Sequence, residues 1–175
     1  MSGARPAVYL AGFDVFLPDA AAQGERLKAL AARHGFDGLF PLDNQTPPGL
    51  TGAALAQWIY RANVAMIQRA DLVMANLNPF RGAEPDSGTA FEVGYAIACG
   101  KPVWAYTAQA DSLIAQVAVG TADTPARAID AQGYTVEDFG LNLNLMLACS
   151  ARVVIGDAAD CLARMAAERA GRPEG

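Results

Sequence analysis

Five short runs, AVYLA at 7–11, FDGLF at 36–40, LVMANL at 72–77, VWAYT at 103–107 and RVVIG at 152–156, are separated by longer stretches of helical pattern. Runs that are apolar at nearly every position, as four of these are, leave no face for water. They read as strands of a parallel sheet covered by helices on both sides. The spacing predicts helices at about 20–33, where Ala, Leu and Lys dominate and Gly35 follows, and at 53–69, with apolar residues at 55, 58, 59, 62, 66 and 67. Further helices are expected over about 89–99, within 141–149 and over 158–170, while 109–135 reads as irregular and polar and the tail 171–175 as frayed. The expected fold is a single α/β domain over 1–175, an open parallel five-stranded sheet of Rossmann or flavodoxin type.

Composition narrows the function classes. With 175 residues, 53% hydrophobic and 18% charged, the chain can bury one sizeable core. A net charge of −5 without any cluster of Lys or Arg argues against nucleic acid and against anionic membrane as partners. The opening MSGARPAVYLAG has too few apolar residues for a secretory or spanning segment, so a cytoplasmic location is expected. Cys99, Cys149 and Cys161 form no C-x-x-C pair, lie in Ala-rich helical contexts and read as small core residues. One histidine, His34 at a helix end, is too little for Ser-His-Asp or Cys-His catalysis or for histidine-ligated zinc. No G-x-G-x-x-G follows the first strand and no Walker-type loop occurs, so no nucleotide cofactor and no metal are implied.

The polar residues without a packing role fall on one edge. Phe13 and Asp14 follow the first strand, Asp43 to Gln45 the second, Asn76 to Glu92 the third, and Tyr106 ends the fourth. All lie at carboxyl ends, where open parallel sheets form their ligand crevices. Within that set EPDSGTAFEVGY, residues 84–95, puts Glu92 six residues after Asp86. Thr89 and Glu92 fit a capping box, which is the structural reading. The chemical reading is a carboxylate nucleophile helped by a second carboxylate, the equipment for cleaving a glycosidic bond through a covalent intermediate.

VYLAGFDVFLPD at 8–19, PLDNQ at 41–45, ADLVMANLNPFRGAEPDSGTAFEVGYA at 70–96 and FGLNLNLML at 139–147 together resemble the nucleoside 2'-deoxyribosyltransferases, especially the trypanosomatid-like subgroup. The resemblance implies an enzyme that moves 2-deoxyribose between nucleobases. Its substrates would be 2'-deoxyribonucleosides and free bases. Carried over, Glu92 is the nucleophile, Tyr9 the strand tyrosine that orients it, and Asp86 the loop aspartate that contacts the nucleoside. Gln45 becomes a base-facing amide, and Asn144 an amide that reaches the neighbouring subunit's site in a homo-oligomer. Asp14 and Gly88 border the same site, and Phe13 or Phe16, with Phe16 the better placed, stacks on the base.

Taken without the resemblance, Tyr9 is an ordinary strand aromatic, Gln45 a cap, Phe13 and Phe16 core residues, and Asn144 a local hydrogen-bonding amide. Asn63 stands where broader-specificity bacterial relatives carry an aspartate. That departure leaves protonation of the leaving base to solvent or Asp86, and it points to a purine preference. Gly94, in mid-helix, predicts a close neighbour at that turn. A position for Glu92 at a helix start predicts a carboxylate held ionised by the first-turn amides.

Overall fold

The computed structural model describes residues 4–122 and 126–171. Its elements run β1 (Ala7–Ala11), α1 (Ala20–Arg33), β2 (Asp37–Leu39), α2 (Gly52–Arg69), β3 (Leu72–Asn76), α3 (Ser87–Ala98), β4 (Val103–Thr107), α4 (Leu113–Val117), β5 (Gly120–Ala122), β6 (Arg127–Ile129), α5 (Leu145–Ala148), β7 (Arg152–Ile155) and α6 (Ala158–Ala170). Five strands form one sheet in the order β2-β1-β3-β4-β7, every pair parallel. The chain steps from β1 outward to β2 and then returns to β3 on the other side. A crevice therefore opens between the carboxyl ends of β1 and β3.

Strand periodicity sorts the core into two layers. Val8, Leu10, Met74 and Trp104 face α1 and α6, where they meet Phe36, Phe40, Leu162 and Met165. Tyr9, Ala11, Val73 and Ala75 face the other way, against Met66 and Ile67 of α2 and Val93 and Ala96 of α3. The same alternation places the Tyr9 side chain on the α3 side of the sheet.

Several expectations are corrected. The second strand is only Asp37–Leu39, because Gly38 lies against the α1 backbone and the flanking Phe36 and Phe40 turn into the core. The stretch 109–135 holds α4 and the antiparallel β5–β6 hairpin. Cys161 is buried, whereas Cys99 and Cys149 are exposed at the ends of α3 and α5. The apolar stripe on α2 covers the core only near its end: Met66 and Ile67 are buried, but Leu55 and Trp58 are half-buried and Ile59 is exposed. The tail expected to fray lies outside the described residues apart from Gly171, which ends α6.

Gly24 in mid-α1 sets two effects against each other. Alanine is favoured over glycine there by about 1 kcal/mol of helix propensity. Yet a Cβ at Gly24 would come within 2.4 Å of the Phe40 ring, which is 2% exposed and cannot swing outward. Overpacking of that kind costs about 1–3 kcal/mol. Gly24→Ala is expected to lower the urea midpoint, and a raised midpoint would show that the ring yields.

Candidate active site

At the β1–β3 crevice lies a cavity of about 350 Å³ whose walls come from two loops and two helices. Gly12, Val15 and Phe16 follow β1; Pro41, Leu42, Asn44 and Thr46 follow β2. Trp58, Ile59 and Asn63 come from α2, and Asp86, Gly88, Thr89 and Glu92 from the start and middle of α3.

Glu92 makes the contact on which the site's chemistry turns. The Tyr9 hydroxyl donates to Glu92 Oε1 at 2.5 Å, tying β1 to α3. Oε2 accepts nothing from the described residues. One carboxylate oxygen is thus anchored and the other is left for a ligand. Burial pushes the Glu92 carboxyl up to about 7, with the charge of Asp86 adding to the rise and the Tyr9 hydrogen bond opposing it. Tyr9 is fully buried; burial first, then the adjacent carboxylate, drives its hydroxyl far above the ordinary phenol range, so it stays a donor.

This geometry overturns the capping reading of Thr89 and Glu92. The N-cap of α3 is Asp86, whose Oδ2 accepts from the Thr89 amide at 2.8 Å and from its hydroxyl at 3.0 Å. Glu92 is then the sixth residue of the helix, beyond the reach of the unpaired first-turn amides. Its carboxyl is held toward the neutral form rather than the ionised one. Gly88 sits close to the cap, since a Cβ there would lie 3.0 Å from Asp86 Oδ2 and would press on the carboxylate that caps α3. Gly94, by contrast, meets nothing within 4 Å.

The remaining candidates separate. Phe16 lines the cavity, half of it exposed, and stacks on Phe80 at 5.3 Å, with the Arg81 guanidinium over both rings. Phe13 stacks on the same Phe80 but does not line the cavity. Asn63 lines it; Gln45 is exposed and does not. Asp14 is buried behind the wall, accepting from Gln23 at 2.9 Å and from Asn76 at 2.8 Å. Asn76 in turn accepts from the Asn78 side chain at 2.8 Å, and Asn78 accepts from the Ala108 amide at 2.8 Å. This chain of amides ties together the carboxyl ends of β1, β3 and β4. Asn144 caps α5 and donates to Glu137 at 2.6 Å, in a groove on a different face of α3 from the cavity.

Sequence reasoning passed over Asn44, Trp58 and Ile59. Asn44 sits inside the PLDNQ block, one residue before Gln45. Trp58 and Ile59 fell in with the core because a cavity wall and a core face carry the same helical periodicity.

A parallel sheet of this order with a half-buried carboxylate of raised pKa at its switch point is an arrangement for nucleophilic or acid–base work on a small ligand. Residues 8–146 match the family model described as nucleoside 2-deoxyribosyltransferase, and the chain belongs to that family. A solved 2-desoxiribosyltransferase from Leishmania mexicana is 34% identical, covers 93% of this chain and 97% of its own, and superposes with a TM-score of 0.73. An uncharacterized protein of Schizosaccharomyces pombe is 37% identical over 105 residues, 58% of this chain, and the match spans only 50% of that relative's length. A conserved protein from Enterococcus faecalis shares the fold at 21% identity and a TM-score of 0.60, over 95% of this chain and 99% of that one.

The raised Glu92 carboxyl has a stability consequence. Between its ordinary value of 4.5 and about 7 the native state keeps a proton that the unfolded chain has released. Native stability therefore falls as pH rises through that window, and above it the full penalty of burying the charge applies. Glu92→Gln keeps the acceptor for Tyr9 and removes the charge. Thermal melts should show it more stable than the parent at pH 8, by up to about 3 kcal/mol, with that advantage absent at pH 4. An advantage that does not change with pH would contradict the assigned cause.

Proposed function

We propose that the protein transfers 2-deoxyribose between nucleobases through a covalent ester on Glu92. The reading is carried by the Tyr9–Glu92 pair at a mostly apolar cavity, in a chain of this family and similar over nearly its whole length to the Leishmania enzyme. That likeness also favours the trypanosomatid-like subgroup. In the first step Glu92 Oε2 attacks the anomeric carbon, an ester C–O bond forms, and the N-glycosidic bond breaks. The base leaves with the electron pair and gains a proton from solvent or Asp86. In the second step a ring nitrogen of an incoming base attacks the same carbon from the opposite face and frees the carboxylate, and the base gives up its N–H proton. Anchoring Oε1 by Tyr9 points Oε2, and partial desolvation makes its charge available to carbon rather than to water. Asp86 Oδ1 and Asn63 are placed to bind substrate, and Phe16 to stack on a base, with purines preferred. Such an exchange suits nucleotide salvage.

Hydrolysis would share the first step and replace the second base with water. The apolar wall of Val15, Phe16, Leu42, Trp58 and Ile59 supports transfer instead, because it holds flat bases and excludes water. Arg81, the basic side chain that a phosphate pocket would need, is engaged over two aromatic rings.

Assembly is part of the same reading. Met146, exposed by 70%, and the open surface at Gly94 line the groove that holds Asn144. The leucines of this segment are buried at Leu143 and half-buried at Leu145 and Leu147. A second copy seated there would cover the groove, and Asn144 would complete the partner's site in a homo-oligomer.

Two experiments follow. A time course with deoxyinosine, with and without adenine, should yield deoxyadenosine when adenine is present and only slow release of deoxyribose without it. Equal deoxyribose release in both arms and no deoxyadenosine would make the protein a hydrolase, and binding without turnover a nucleoside sensor. Glu92→Ala should lose transfer while staying folded. Mixed with an Asn144→Ala protein under conditions of proven subunit exchange, it should regain part of the activity; no recovery would count against a shared site.

A further inference from the structure

Two side-chain amides stand together in the cavity wall, Asn44 in the turn after β2 and Asn63 on α2. Asn44 Nδ2 donates to the Pro41 carbonyl at 3.1 Å and to Asn63 Oδ1 at 3.3 Å. An amide nitrogen carries two hydrogens, and this one has both engaged. That leaves Asn44 Oδ1 as an acceptor and Asn63 Nδ2 as a donor. Neither has a partner among the described residues, where no buried side-chain polar atom is without one, so neither atom is sealed off from a ligand.

An asparagine amide can ordinarily present oxygen or nitrogen by turning over. Here it cannot. Turning Asn44 would set its oxygen against the Pro41 carbonyl, two acceptors face to face, and would withdraw the hydrogen that Asn63 accepts. The backbone carbonyl fixes Asn44, and Asn44 fixes Asn63. The wall therefore offers a donor and an acceptor in one order only.

We propose that Asn44 is a positioning residue for base recognition: through Pro41 it locks the Asn63 amide, and the fixed donor–acceptor order discriminates 6-oxopurines from 6-aminopurines. The inference rests on reading the cavity as a nucleobase site. The two purine classes present mirror-image edges. Hypoxanthine offers an acceptor at O6 beside a donor at N1–H; adenine offers a donor at its 6-amino group beside an acceptor at N1. With the sugar held at Glu92, a wall of fixed order matches one edge and opposes the other. An amide free to turn would accept both.

The test compares kcat/KM for deoxyinosine and deoxyadenosine with a common acceptor base, and the affinities of free hypoxanthine and free adenine by calorimetry. The parent should favour one purine class by on the order of tenfold. Asn44→Leu removes the lock while keeping the volume. It should bring the ratio to within about twofold, lowering kcat/KM for the favoured purine and sparing or raising it for the other. Asn63→Asp keeps the bond from Asn44 but replaces the outward donor with an acceptor. It should move the ratio the same way, and it reads the proposal if Asn44→Leu does not fold. A parent ratio near one, an unchanged ratio in a folded variant, or equal loss for both purines would overturn the inference while leaving transfer intact. Absence of both turnover and base binding in the parent would overturn the reading of the cavity itself, and the inference with it.

Discussion

A hydroxyl on the second layer of a sheet meets a carboxylate in the middle of a helix, and much of the molecule exists to keep them together. Tyr9 has no exposure, and Glu92 depends on it for the one hydrogen bond that its carboxylate receives from the described residues. Every neighbour that buries this pair makes the charge harder to hold, which is why the carboxyl sits near 7. Activity and stability therefore pull in opposite directions at one residue. Packing that would make the fold more robust also makes the Glu92 carboxyl harder to ionise, and the proposed mechanism needs it ionised.

The loops around the pair are held by polar rather than apolar contacts. Asp14, Asn76 and Asn78 join the ends of three strands by hydrogen bonds of 2.8 Å each, and Gly12 must lack a side chain because a Cβ there would lie 2.7 Å from the Asp14 carboxylate. A network of this kind, with its members satisfied, fixes loop positions more sharply than greasy packing does. It also accounts for an aspartate that looks like a site residue in the sequence but lies behind the wall.

Much of the fold could be read from the chain because short apolar runs and long helical ones obey different periods. α1 and α6 were legible to the residue, and Glu92, Asp86, Gly88, Asn63 and Phe16 all line the cavity, with Tyr9 bonded to Glu92 from the strand behind. What could not be read depended on contacts between distant segments. The start of α3 turned on whether Asp86 or Thr89 supplied the cap, and both are good capping residues; only the closing of Asp86 onto the Thr89 amide decides it. Gln45 and Asn44 are adjacent amides, and the path of the turn after Pro41 chooses between them. Cys99 and Cys149 looked like core because small residues surround them, but each lies at a helix end that faces water.

α2 contributes Trp58, Ile59 and Asn63 to the cavity while the core is held by Met66 and Ile67 further along. Folding and ligand choice thus draw on separate turns of one helix. Substitutions at Trp58 and Ile59 can reshape the cavity wall while Met66 and Ile67 stay in place, whereas the floor at Tyr9 and Glu92 has no such freedom. A lineage descended from this protein could explore new specificities by neutral drift along one wall, with its reaction chemistry inherited intact.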